Sequence, residues 1–145
     1  MTKAIGSRAD YRWFLTIPTR WMDNDVFAHV NNVVYYSWFD TTVARFLMDI
    51  VGINTLESKT VFFVVETQCR YHAPLAFPDD VAVGLRVERL GTSSIRYGLG
   101  VFRNDDQQAA AEGHFVHVTV NKATGRPTPT PDAVRRILAA FTLSH

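Results

Sequence analysis

The stretch "DNDVFAHVNNVVYYSWFD", Asp23 to Asp40, decides how the rest of the chain is read. Its first ten positions hold two aspartates, a histidine and three asparagines, and the next eight are largely aromatic and aliphatic. From there Val34, Tyr35, Trp38, Phe39, Val43, Phe46, Leu47 and Ile50 recur at threes and fours, the period of an α-helix. The spacing predicts a helix over roughly Asn32 to Val51, capped by Asn31 or Asn32 and stopped at Gly52. A dense polar segment thus runs without a break into the most hydrophobic element of the chain.

Downstream the period changes. "TVFFVVETQCRYHAP", "DDVAVGLRVERLG", "TSSIRYGLGVFRN" and "QQAAAEGHFVHVTVN" are β-branched or aromatic segments separated by turn residues. Upstream, Phe14 to Trp21 reads as a first strand, with Pro18 marking an edge or bulge. Thr130 and Pro131 predict an N-cap and first turn for a short terminal helix over "DAVRRILAAF". A helix apolar around most of its circumference needs a cover, and only the sheet is available. The expected fold is α+β: a hotdog fold, a curved antiparallel five-stranded sheet around one long central helix. It occupies residues 1–145 as a single domain.

Composition narrows the function. With 15 Lys plus Arg against 14 Asp plus Glu, a net charge of +1 offers no field for nucleic acid or a membrane surface. "VFFVV" is too short to cross a bilayer. Met1 to Asp10 has no apolar leader region, and the one cysteine, Cys69, can form no internal disulfide. A cytoplasmic location is expected.

Taken singly, Asp23, Asp25, His29, Asn31 and Asn32 read as turn formers and helix caps. Taken together before a buried helix, they would carry a desolvation cost without a further use. A calcium loop starting at Asp23 fails, because Ala28 and Val34 stand where glycine and glutamate are needed. A phospho-aspartate motif would follow an apolar parallel strand, and zinc would need clustered His or Cys ligands. The remaining chemistry is that of a helix N-terminus. Free N–H groups there suit a carbonyl gaining negative charge, and an upstream carboxylate can attack it or activate a water beside it.

"RWMDNDVFAHVNNVVYYSWFDTTVARFL" resembles the opening motif of the 4-hydroxybenzoyl-CoA thioesterase-like family of hotdog acyl-CoA thioesterases. Asp23, Asp25, His29-Val30-Asn31-Asn32, Tyr35 and Ala44-Arg45 carry the match. "VVETQCRYHAPLAFPDDV" and "RLGTSSIRYGLGV" extend the likeness from about Ile17 to Asn121. The resemblance implies thioester hydrolysis to a free acid and CoA. Asp25 would be the catalytic carboxylate, as nucleophile or general base, and the Asn32 N–H would polarise the carbonyl. His29 would contact substrate or hold the loop, Asn31 would brace the turn and Asp23 would orient it. Tyr35, with Tyr36, Trp38 and Phe39, would line an acyl pocket or form helix core. Arg89, Thr92, Ser93 and Ser94 would meet the nucleotide phosphates.

The family further implies a homodimer or homotetramer, with no metal and no cofactor beyond the CoA of the substrate. Nucleic acid and membrane are not expected partners. Ala28 stands where the family has glycine, so a reshaped loop is expected. Glu66 is expected on the solvent face. Two other readings stand beside this one. An enoyl-thioester hydratase or dehydratase would favour "D-x-N-P-x-H", which does not occur here. A non-catalytic acyl-CoA-binding protein would keep the fold alone.

Overall fold

Helix α1 begins where the polar loop ends. In the computed structural model, which describes residues 4–143, α1 spans Asn32–Phe46 and continues through a wider π-type turn, Leu47–Val51. Met1–Lys3, at the head of the stretch read for a leader, and Ser144–His145 lie outside the described residues. Asn31 is the cap, its Oδ1 accepting the Val33 N–H at 3.1 Å. Gly52 ends the helix at φ 82°, a left-handed conformation that glycine takes without side-chain strain.

Five strands follow the predicted segments: β1 (Trp13–Pro18), β2 (Thr60–Tyr71), β3 (Asp80–Leu90), β4 (Ser94–Arg103) and β5 (Ala111–Asn121). They form one sheet in the order β1-β3-β4-β5-β2, with every pairing antiparallel. β1 is an edge strand, as Pro18 predicts. It stops short of Trp21 because Trp21–Asp23 coil into a 3₁₀ turn.

The inner face supplies the core. Val81, Val83, Leu85 and Val87 of β3, and Ile95, Tyr97, Leu99 and Val101 of β4, are buried against Trp38, Phe39, Val43 and Phe46 of α1. Each of the larger of these stabilises the fold by roughly 1.5–3 kcal/mol, which outweighs the weak helix propensity of β-branched and aromatic residues in α1. Gly113 lets β5 and β2 close tightly on the helix. A Cβ there would run into the Gln68 carbonyl and stand 2.7 Å from Phe39 Cε2.

Two expectations need correction. The sheet covers α1 on one side only, leaving Val33, Asp40, Ala44 and Met48 exposed on the other. Thr130 does not cap the terminal helix α2 (Asp132–Ala139). Its hydroxyl is buried and shares a 2.7 Å hydrogen bond with that of Thr119, while Pro131 takes the cap position.

β5 also carries a histidine into the core. His117 is stacked on Phe62 (centroids 5.6 Å apart) and lies edge-on to Phe115, with Nδ1 unpartnered. Burial pushes its pKa down to about 4. The unfolded imidazole takes up a proton near its ordinary value of about 6.5, whereas the folded one resists until lower pH. The resulting contribution is intact above about pH 6.5 and is lost as pH falls toward 4, by on the order of 3 kcal/mol. Urea unfolding of wild type and His117→Phe across this range should therefore show the wild type losing ground to the variant on acidification. A stability difference independent of pH would contradict the buried neutral state.

Candidate active site

The polar loop is built from its ends inward. Asp23 is 2% exposed, and its carboxylate accepts the Arg20 backbone N–H at 2.8 Å and the Arg20 guanidinium at 2.7 and 3.1 Å. Its carbonyl accepts the Asn31 N–H at 2.9 Å, and an antiparallel bridge joins Asn24 to Val30. The loop is therefore a small hairpin closed by Asp23, which orients it. The Asn24 side chain accepts the Phe77 N–H at 3.1 Å, fixing the hairpin to the segment after β2.

Asp25 lies inside this hairpin. Its N–H donates to the His29 carbonyl at 2.9 Å, its own carbonyl accepts the Ala28 N–H at 3.0 Å, and its Oδ1 accepts the Phe27 N–H at 2.9 Å. Among the described residues only one carboxylate oxygen is used, which leaves Oδ2 available. Ala28 adopts φ 63°. The alanine thus takes a left-handed conformation that glycine adopts without strain, at a cost of about 1–2 kcal/mol.

At the start of α1, Asn31 accepts the N–H groups of Val33 and Val34 through its side chain and carbonyl. Among the described residues the Asn32 N–H meets no acceptor, as the first turn of a helix allows. The Asn32 carbonyl accepts the Tyr71 hydroxyl at 3.0 Å, and the Tyr71 ring stands edge-on to Tyr35 at 4.9 Å. His29, Asn32, Tyr35, Tyr71, His72 and Pro74 border a cavity of about 340 Å³. Burial pushes the Tyr35 hydroxyl up to about 12, so it stays protonated. Asp25 is not on the cavity lining and reaches it through His29, to whose carbonyl it is bonded.

The structure brings His29, Asn32 and Tyr35 to one cavity, with Asp25 joined to it through the His29 carbonyl, and adds Tyr71 and His72, which sequence reasoning missed. Their signal was the end of "QCRYHAP", where an aromatic and a histidine precede a proline. Trp38 and Phe39 are core. Glu66 is exposed on the outer face, 2.7 Å from His114 Nε2.

Arg89, Thr92, Ser93 and Ser94 are not brought to this site. They lie at the β3–β4 turn, at the opposite end of β4 from the Asp25 loop, roughly 30 Å away along the strand. There the Thr92 and Ser93 carbonyls accept N–H groups of Thr130 and Thr119. Among the described residues, no three His, Cys, Asp or Glu side chains converge as a metal site.

Residues 19–138 match the model of the thioesterase-like superfamily. The chain belongs to this superfamily. It is 42% identical to the PA5185 protein of Pseudomonas aeruginosa, with a TM-score of 0.93, over 97% of this chain and 99% of that one. A thioesterase of Thermus thermophilus, crystallised with coenzyme A and zinc, is 31% identical with a TM-score of 0.76, over 88% and 98% of the two chains. YsmA of Bacillus subtilis, an uncharacterized protein, is 21% identical over 90% of this chain and 88% of its own length. The neighbours share the hotdog fold, so the thioesterase-superfamily chain carries the hairpin and helix start on the scaffold its sequence predicts.

The strain at Ala28 is testable. Ala28→Gly removes the left-handed penalty but loosens the unfolded chain, for a net gain of roughly 0.5–1 kcal/mol. Thermal unfolding should rise by a few degrees at most. A fall in the midpoint would mean that residue 28 is not left-handed in solution.

Proposed function

We propose that the protein is a cytoplasmic acyl-CoA thioesterase that hydrolyses its substrate to a free carboxylic acid and CoA, with coenzyme A entering as part of the substrate. The observation that carries this reading is the pairing of a half-used carboxylate with an unsatisfied helix N–H. Asp25 is held by the His29 carbonyl and the Phe27 N–H, and the Asn32 N–H stands at the start of α1, on the cavity that His29 also borders. A thioester carbonyl over Asn32 would gain negative charge where the helix end favours it.

From that position two routes use the same atoms. The free oxygen of Asp25 takes a proton from water, whose oxygen attacks the carbonyl carbon. Alternatively it attacks that carbon itself, and water later cleaves the anhydride. In both, the C–S bond breaks and CoA leaves as the thiolate, which then takes up a proton. His29 and Tyr35 border the substrate.

The sheet also suggests the assembly. β2 is an edge strand of twelve residues, and Phe63 and Val65 on it are 51 and 59% exposed. A long apolar edge calls for a partner strand. Two copies pairing β2 with β2 in antiparallel fashion form a homodimer. In that arrangement the Arg89–Ser94 turn of one copy approaches the Asp25 end of the other, which gives those residues a route to the nucleotide.

Asp25→Asn should lower kcat by roughly 10²-fold or more with little change in folding, because the amide is neither base nor nucleophile. Asp23→Asn should act mainly on stability, since its carboxylate is spent on Arg20. Thiol release from acyl-CoAs and urea unfolding separate the two, and equal kinetic effects would contradict the assignment. Val65→Lys, placing a charge on the β2 edge, should yield monomers by light scattering. A wild type that is already monomeric at micromolar concentration would contradict the β2 pairing.

A further inference from the structure

At the far end of α1 a second cavity, of about 250 Å³, opens between the helix and the start of β2. Ala44, Met48, Ile53 and Phe62 give it an apolar wall, Asp40 stands at its side, and His117 forms part of its lining. His117 is 6% exposed, and its Nδ1 is closed inside the protein without a partner. Nε2 is therefore the ring nitrogen able to reach a ligand. The neutral imidazole holds one N–H. An orphaned buried N–H is rarer than an under-used acceptor, which favours the proton on Nε2, facing the cavity. A phenylalanine would fill the same stacked position between Phe62 and Phe115 with no polar atom to satisfy. What the histidine adds over a phenylalanine is a ring N–H at the cavity wall, which can donate a hydrogen bond to an acceptor there.

This cavity and the one at Asn32 share no lining residue, and α1 and β2 run side by side between them. β2 runs back along α1, with the Tyr71 hydroxyl on the Asn32 carbonyl at one end and Phe62 near Ala44 and Met48 at the other. The register sets Val64 opposite His117 and Thr67 opposite Phe115, on the inner face, and both Val64 and Thr67 are exposed. Tyr36 and Asp40 line the facing side of the helix and are open in part or whole. From Asn32 to Asp40 this groove covers about 12 Å of helix, and to Ala44 about 18 Å.

We propose that the α1–β2 groove carries the acyl chain away from Asn32 and that His117 Nε2 donates a hydrogen bond to an oxygen substituent near its far end. The substrates favoured would be medium-chain acyl thioesters bearing a hydroxyl or keto group at that end, over plain alkyl chains. This rests on the thioesterase reading above. A site built to hydrogen-bond a substrate oxygen leaves its own polar group unpaired when the oxygen is missing, and discrimination of about tenfold or more follows.

The test is thiol release from dodecanoyl-CoA and ω-hydroxydodecanoyl-CoA, read as the ratio of their two kcat/KM values on one enzyme, so that general losses of fold or turnover cancel. Wild type should favour the hydroxylated chain by about tenfold or more, and His117→Phe should bring the ratio close to one. A wild-type ratio near one decides against the proposal whether or not the variant folds. A preference that survives in folded His117→Phe would overturn it too. In either case hydrolysis itself would leave the thioesterase reading standing. Failure of the wild type to release thiol from acetyl-CoA, from both dodecanoyl substrates and from a wider acyl-CoA panel would instead overturn that reading, and this inference with it.

Discussion

A helix cannot satisfy the N–H groups of its own first turn, and at α1 the surrounding described residues satisfy all but one. Asn31 absorbs the N–H groups of Val33 and Val34, and Asn32 is left open. The buried face of the same helix, through Trp38, Phe39, Val43 and Phe46, holds that terminus against the sheet. An exposed helix end would offer its N–H to water and would move. Here the donor is fixed by the core, so the proposed reactive position follows directly from the packing of the most hydrophobic element.

The carboxylate is positioned by a different kind of interaction. Asp23 uses both its oxygens on Arg20 and its carbonyl on Asn31, closing a hairpin whose interior holds Asp25. Within the hairpin Asp25 also acts as an ordinary turn former, through the Phe27 N–H. The structural role takes one oxygen and the proposed chemical role uses the other. Tying Oδ1 down fixes the direction of Oδ2, so the two roles support each other.

Much of this was legible in the sequence because it is local. The threes and fours from Val34 to Ile50, the Asn31 cap, the Gly52 stop and the alternation in β3 and β5 each report on a residue and its near neighbours. What was not legible depends on sheet order. Spacing alone could not show that the Arg89–Ser94 turn lies at the opposite end of β4 from Asp25, or that Tyr71 of β2 reaches the Asn32 carbonyl. The enclosure of α1 was over-read for a related reason. Val33, Met48 and Ile50 extend the apolar pattern past the face the sheet covers, and an apolar residue awaiting a partner looks the same in sequence as one in a core. Thr130 had the residue type of a cap and is instead held in the interior by Thr119. Ala28 shows the reverse case, an unlikely residue type that keeps the backbone conformation the hairpin needs.

The central claim is that a thioester carbonyl sits on the Asn32 N–H with the side chain of residue 25 beside it. The direct measurement is a crystal structure of the Asp25→Asn protein with an uncleaved acyl-CoA bound. The account predicts the carbonyl oxygen at about 2.7–3.2 Å from the Asn32 nitrogen, with the side chain of residue 25 facing the carbonyl carbon directly or through one water. A thioester bound elsewhere, with the Asn32 N–H turned to solvent, would contradict it.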